Sequence, residues 1–254
     1  MKKISLDVHT HTIMSGHAYS TLQEMVAVAQ QKGLDILGIT EHAPGIPGTC
    51  DPIYFRNLHV VPRQMGGLRL LLGAELNILD TSGTIDLDET IYPLLDLRIA
   101  GIHLLCWQGG TIEENTQGMV NAIRNPWTHI ITHPGDGTAE LLFEPIVLAA
   151  KETNTLLEIN NSSLNPVRGK QKALANNLIG IGHKFCIDIR VDALSYRIPK
   201  ELLCIKASTI VLCNHNITLC LPQPTIFVVD GIVRHQHRIN RSQRVVLIGR
   251  NRDS

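Results

Sequence analysis

Aromatic residues are scarce in this chain: they make up 4% of its 254 residues, against an apolar share of 44%. A core of that composition is aliphatic, and it is large enough for one α/β domain or two small ones. Charge of neither sign dominates. The formal net charge is zero, so no global field draws the chain to nucleic acid or to an anionic membrane. No run approaches the ~18–20 apolar residues of a membrane span, and the first residues lack a signal peptide's apolar core, so cytoplasm is the expected compartment. The six cysteines (Cys50, Cys106, Cys186, Cys204, Cys213 and Cys220) form no C-x-x-C pair and read as reduced and mostly buried.

The neutral total hides a split. Residues 1–189 carry 13 basic and 19 acidic side chains, a net of −6, whereas residues 190–254 carry 10 and 4, a net of +6. Two segments follow from this: 1–189, and an atypical stretch, 190–254, that is rich in cysteine and arginine.

What the chain does have is histidine just after apolar runs. The opening Ile-Ser-Leu-Asp-Val-His-Thr-His-Thr is a short strand ending in Asp7-x-His9-x-His11. Alternate residues of a strand share a face, so His9 and His11 project together, and two imidazoles on one face can hold one metal ion. Further strand candidates are Ile36–Thr40, Arg69–Ala74, Leu97–Ile102, His129–Thr132 and Leu156–Ile159. Helix candidates lie between them at Thr21–Lys32, Thr116–Arg124 and Glu144–Glu152, the first capped by Ser20 or Thr21 and closed at Gly33. Repeated β-then-α units at roughly 30-residue spacing predict a parallel sheet, open or closed into a barrel, with its active site at the C-terminal strand ends.

The candidate ligands fall at those ends: His9, His11, Glu41-His42, Glu75, His103 and His133, with His17 in the first βα loop. Singly, each has a plainer reading. A histidine after a strand is most often a hydrogen-bonded structural residue, Glu41 could be a solvated helix-start carboxylate, and His42 a cap. Glu75 ends an apolar strand, where an unpaired buried carboxylate is expensive, and bridging two cations would remove that cost. Jointly, six histidines and one glutamate at successive strand ends point to metal. His59, His129, His215, His235 and His237 lack that placement and read as structural or exposed.

The pattern resembles the PHP (polymerase and histidinol phosphatase) superfamily, in its bacterial phosphatase-like branch. The matching stretches are Asp7-Val-His-Thr-His11, Ser15-Gly-His-Ala-Tyr-Ser-Thr21, Ile39-Thr-Glu-His42, Gly73-Ala-Glu-Leu-Asn77, Ile99-Ala-Gly-Ile-His103, Ile131-Thr-His-Pro-Gly135 and Leu157-Glu-Ile-Asn-Asn-Ser-Ser163. The resemblance implies an α/β fold, a distorted (β/α)7 TIM-like barrel, with two or three divalent metal ions, commonly zinc, manganese or iron. It also implies hydrolysis of phosphate monoesters by metal-bound hydroxide. Carried over by motif, His9, His11 and Glu75 hold a first ion. Glu75, His103 and His133, the expected catalytic group, hold a second, and His17 and His42 belong to a third. Asp7 is a structural anchor or supports a ligand. Arg56, Arg63 and Arg168 are candidate grips for a small phosphorylated substrate, with a solvated surface role as the alternative. A homo-oligomer stays open, and no membrane or nucleic-acid partner is expected.

The chain departs from the family at its final motif, Gly-Ser-Asp-x-His. Here Ile187-Asp-Ile-Arg-Val-Asp-Ala-Leu194 falls in that place, so Asp192 stands for the aspartate and Leu194 where the histidine belongs. Leucine cannot bind a metal, so the third site is expected to be weak. The barrel is therefore read as incomplete or altered after about residue 190. Two accounts stay open: a diverged but folded end, or a shifted reading frame that leaves Ile198–Ser254 poorly packed or disordered and exposes the apolar runs 209–213, 226–229 and 245–248. Rival functions are a catalytically impaired remnant, a histidinol-phosphatase-type or nuclease-like member, and an amidohydrolase-like enzyme. The missing basic groove counts against the nuclease.

Overall fold

Apolar, partly β-branched runs become the strands of one sheet in the computed structural model of the chain. It describes residues 6–107, 109–160, 173–174, 177–178, 207–212 and 225–227. The strands are β1 (Leu6–Asp7), β2 (Ile36–His42), β3 (Gln64–Met65), β4 (Leu68–Asn77), β5 (Leu97–Gly101), β6 (Ile130–Ile131), β7 (Leu156–Ile159), β8 (Ala207–Leu212) and β9 (Thr225–Phe227). They pair in parallel in the order β1-β2-β4-β5-β6-β7-β8-β9, and β3 pairs antiparallel with β4. The helices are α1 (Leu22–Gln31), α2 (Pro52–Asn57), α3 (Ile112–Arg124) and α4 (Phe143–Thr153).

Leu70, Leu71 and Leu72 of β4 are all buried although successive side chains point to opposite faces. A sheet covered on both sides explains this, as in other parallel α/β architectures. The sheet also curls. Five pairings separate β1 from β7, which would hold them about 24 Å apart in a flat sheet. Yet His9, just after β1, and Glu158 of β7 meet at 3.0 Å. The result is the expected distorted, TIM-like half-barrel with helices outside.

Several boundaries differ from the sequence reading, and each difference has a cause. β2 continues past Thr40 through Glu41 and His42, and β4 past Ala74 through Glu75 and Asn77. The ladder does not stop for polar residues: Glu41 pairs with Ala74, His42 with Glu75, and Asn77 with Gly101. α3 begins at Ile112 rather than Thr116, because Thr111 and Glu114 form a reciprocal capping box. α2 was not expected from apolar spacing; Asp51 caps it and Pro52 opens it. No α-helix fills the connection from β4 to β5, which is a loop with one 3-10 turn at Tyr92–Leu94.

β8 and β9 lie beyond residue 190 and extend the parallel order from β7. β8 includes most of the apolar run at 209–213. Asp192, Leu194 and Arg168 lie outside the described residues, as does the run at 245–248.

Candidate metal centre

Glu75 is the focus of the C-terminal end of the sheet. Its side chain is 1% exposed, and five imidazole nitrogens face its carboxylate. His9 Nε2 and His11 Nε2 lie 3.2 Å from Oε2, and His42 Nδ1 lies 3.1 Å from it. His103 Nε2 and His133 Nε2 lie 3.2 and 3.0 Å from Oε1. His17, on the exposed first loop, completes the group, its ring centroid 5.2 Å from that of His11 and 4.9 Å from that of His42. The six histidines and one glutamate expected as ligands in the first 133 positions therefore converge.

The Nδ1 atoms of five of these rings have partners outside the cluster. His9 Nδ1 donates to Glu158 at 3.0 Å, and His133 Nδ1 to Asp136 at 3.1 Å. His103 Nδ1 donates to Asn77 Oδ1 at 2.7 Å, His11 Nδ1 to Ser15 Oγ at 3.1 Å, and His17 Nδ1 to the Ser15 carbonyl at 3.0 Å. A neutral imidazole that gives its proton at Nδ1 carries a lone pair at Nε2. Lone pairs aimed at a carboxylate repel it, and so many buried imidazoliums side by side would repel one another. A cation between them resolves both problems. Two buried atoms support that fit: Glu75 Oε2 and His42 Nδ1 lack any hydrogen-bond partner despite their 3.1 Å separation. Nitrogen and carboxylate oxygen together suit divalent transition metals.

Titration at the centre is set by burial against neighbours. Burial would lower the His9 pKa, but Glu158 and Glu75 carry it up to about 10. His133 is also raised well above the usual range, by Asp136 and Glu75 acting against burial. His42 falls to about 2, because burial and the nearby His11 and His103 outweigh Glu75. Burial lowers His11 too. For Glu75 burial acts upward, but the charges of His9, His42 and His103 hold its carboxyl well below the ordinary range.

The ligand atoms within 4.8 Å of one another fall into three groups: His11, His17 and His42; His9, Glu75 and His133; His42, Glu75 and His103. The motif carry-over groups them differently, pairing His9 with His11 and His103 with His133. In the structure His9 stacks on His133, with centroids 5.8 Å apart.

The family model for the PHP domain matches residues 7–204. The chain belongs to the PHP domain family. Over 190 residues it is 44% identical to a Caldicellulosiruptor bescii protein named "Probable phosphatase", an alignment covering 75% of this chain and 79% of that protein. Over 166 residues it is 47% identical to a "Probable phosphatase" of Clostridium novyi, covering 65% and 68%. Against the crystal structure of a Lactococcus lactis histidinol phosphate phosphatase complexed with Zn, L-histidinol and phosphate, the TM-score is 0.48 at 19% identity, covering 70% of this chain and 82% of that one.

Around this site the structure shows what holds the histidines in place, in part through residues to which the sequence reading gave no role. Glu158 accepts from His9 and, at 2.7 Å, from the backbone N–H of His133. Glu41, a candidate whose plainer reading was a solvated helix-start carboxylate, is fully buried and accepts from the Thr12 backbone N–H at 3.0 Å and from the Ser15 hydroxyl. Ser15 Oγ also accepts the His42 N–H at 3.0 Å, so one hydroxyl ties the first loop to β2. Asp7 accepts the His9 backbone N–H at 3.3 Å. Two arginine candidates are engaged elsewhere. Arg63 pairs with Asp96 at 2.6 Å and donates to two carbonyls, and Arg56 donates to Thr90 at 3.0 Å.

Proposed function

We propose that this PHP-family chain is a metal-dependent phosphatase that hydrolyses phosphate monoesters at a multinuclear centre around Glu75. One observation carries the reading: five imidazole nitrogens lie within 3.2 Å of a single buried carboxylate. The names of its relatives support the phosphatase class.

In this reading His9, His11, His17, His42, His103 and His133 offer ring nitrogens, and Glu75 bridges. Asp192, outside the described residues, joins them on its motif position alone. Two or three divalent ions, zinc, manganese or iron, suit such a donor set. When bound, they supply Lewis acidity, acidifying water and offsetting charge on the phosphoryl oxygens. The chain's own part is to orient. With their Nδ1 protons committed to Glu158, Asn77 and Asp136, the rings of His9, His103 and His133 keep Nε2 free and cannot rotate. Glu75, His103 and His133 stand next to the reacting phosphate.

The substrate is a small phosphorylated molecule and the compartment the cytoplasm. The free thiols of Cys50 and Cys106 accord with that compartment. No helix among the described residues is long and apolar enough to cross a membrane. The division at residue 190 belongs to the same proposal.

The test is metal content per chain on purified protein, with hydrolysis of p-nitrophenyl phosphate alongside. About two or three ions per chain with turnover is the expected result. Folded chain that takes up no added zinc, manganese or iron would overturn the reading and leave a remnant.

A further inference from the structure

The acceptors that hold His9 and His133 are carboxylates, which can only accept. His103 is different: its partner, Asn77, is an amide that could present either its oxygen or its NH2 group. What decides the orientation lies one step further out. Asn77 Nδ2 is 2.6 Å from Asp86 Oδ2, the Asn77 backbone N–H donates to Asp86 Oδ1 at 2.6 Å, and the Gly45 N–H donates to Oδ2 at 3.0 Å. Asp86 sits in the connection between β4 and β5, which holds no α-helix. That loop is pinned by the Tyr92 hydroxyl donating to the Asp86 carbonyl at 3.0 Å and by the bridge between Ile78 and Ile85.

The chain of consequence is short. An ionised Asp86 has no proton to give, so the Asn77 atom facing it must be the NH2. The Asn77 carbonyl oxygen then faces His103 at 2.7 Å, and since it also has no proton to give, His103 must carry its own at Nδ1. A neutral ring protonated there has its lone pair on Nε2, 3.2 Å from Glu75 Oε1. We propose that Asp86 is a positioning residue that fixes the His103 tautomer through the Asn77 amide, and thereby decides whether His103 Nε2 can hold a cation. The inference rests on the reading of His103 as a ligand.

The experiment uses the full chain stripped of metal, with Zn²⁺ alone as the probe. Wild type, Asp86→Asn and the exchanged pair Asn77→Asp/Asp86→Asn are compared by calorimetric titration and by ¹⁵N NMR of the histidine rings. In Asp86→Asn the Asn77 backbone N–H, which cannot turn, keeps the remaining oxygen at the Oδ1 position, so the new NH2 takes the Oδ2 position and faces the Asn77 NH2 and the Gly45 N–H. The Asn77 amide turns, its NH2 reaches His103, and the ring proton moves to Nε2. One Zn²⁺ binding step then weakens about 10–100-fold, the range seen when a ligand's hydrogen-bond partner is lost. In the exchanged pair the carboxylate, now at position 77, accepts both from the amide at position 86 and from His103. The Nδ1–H form and the lost binding step therefore return.

A merely structural Asp86 gives another pattern: lower Tm in the single variant, more damage in the double, and an unchanged tautomer in both. That pattern overturns the proposal. If Asp86→Asn fails to fold, the wild-type spectrum still decides, because a metal-free His103 protonated at Nε2 is incompatible with it. Wild type that binds no Zn²⁺ at all sinks the metal-centre reading instead, while the tautomer result continues to stand or fall on the NMR.

Discussion

The Glu158 carboxylate receives the His9 ring proton at 3.0 Å, across 149 positions of sequence. Its second oxygen takes the His133 backbone N–H at 2.7 Å, so one side chain of β7 holds histidines that follow two other strands, β1 and β6. Glu158→Gln keeps the shape but turns one acceptor into a donor that faces a donor. Metal affinity should fall about 10–100-fold, as measured by competition with a chromophoric chelator. Unchanged affinity would mean that His9 is oriented by packing alone.

Gly101 lies beneath the gap between two of the rings. A Cβ there would overlap Thr132 Oγ1 and stand 3.3 Å from His133 Cε1 and 3.6 Å from His103 Cε1. Gly101→Ala is expected to cost about 1–3 kcal/mol of stability by overpacking and to weaken metal binding with it. Thermal melts with and without Zn²⁺ check both halves. A normal melt with intact binding would show that the rings have room to give.

In the metal-free chain, stability should peak near pH 6.5, the ordinary histidine value. His9 and His133 have raised folded pKa values, so what they contribute is complete below 6.5 and is lost as the pH rises above it, for His9 through about 10. His42 and His11 have lowered values, so the unfolded chain takes up their protons first and stability falls as the pH drops below 6.5. The depressed carboxyls of Glu75, Glu158 and Asp136 extend that acid loss below their ordinary range of about 4. Chemical denaturation of chelated protein across the pH range measures the curve. Stability that keeps rising through pH 9 would be inconsistent with these assignments.

At the opposite end of the sheet, buried Arg98 is an internal tie. It donates to the carbonyls of Trp127, Tyr92 and Leu95, each at 2.8 Å, and its Nη2 meets His129. Arg98→Met strands three carbonyls at about 1–3 kcal/mol for each one left unsatisfied. A loss of about 3 kcal/mol or more is expected in denaturant titration, with metal stoichiometry unchanged in whatever folds. A loss below about 1 kcal/mol would mean that water replaces the guanidinium.

The sequence was legible where periodicity speaks. His9 and His11 share a strand face by the two-residue repeat, and α1 shows its cap, Ser20 or Thr21, and its stop at Gly33, with Thr21 the cap in the structure. The strand ends were less legible, since composition marks where apolar runs stop and the ladder goes further. Glu41 has a solvated helix start as its plainer reading on that ground, yet β2 carries it inside. The capping box at Thr111 and Glu114 is a T-x-x-E signal that lies before the first apolar repeat of α3, so apolar spacing alone starts the helix too late. The partners of the ring Nδ1 atoms were hardest. Asn77 sits two residues after Glu75 on the same face, and Asp136 three after His133, so spacing could have suggested them. Glu158 and Asp86 depend on contacts that only the curled sheet and the β4–β5 loop create.

The curl of the sheet also sets an order of events during synthesis. His9 leaves the ribosome well before the acceptor that orients its ring, which is made 149 residues later. Until then the ring of His9 lacks that acceptor, and an ion arriving early would meet a ring free to turn. Glu158 thus works as a late latch: it orients a histidine translated 149 positions before it.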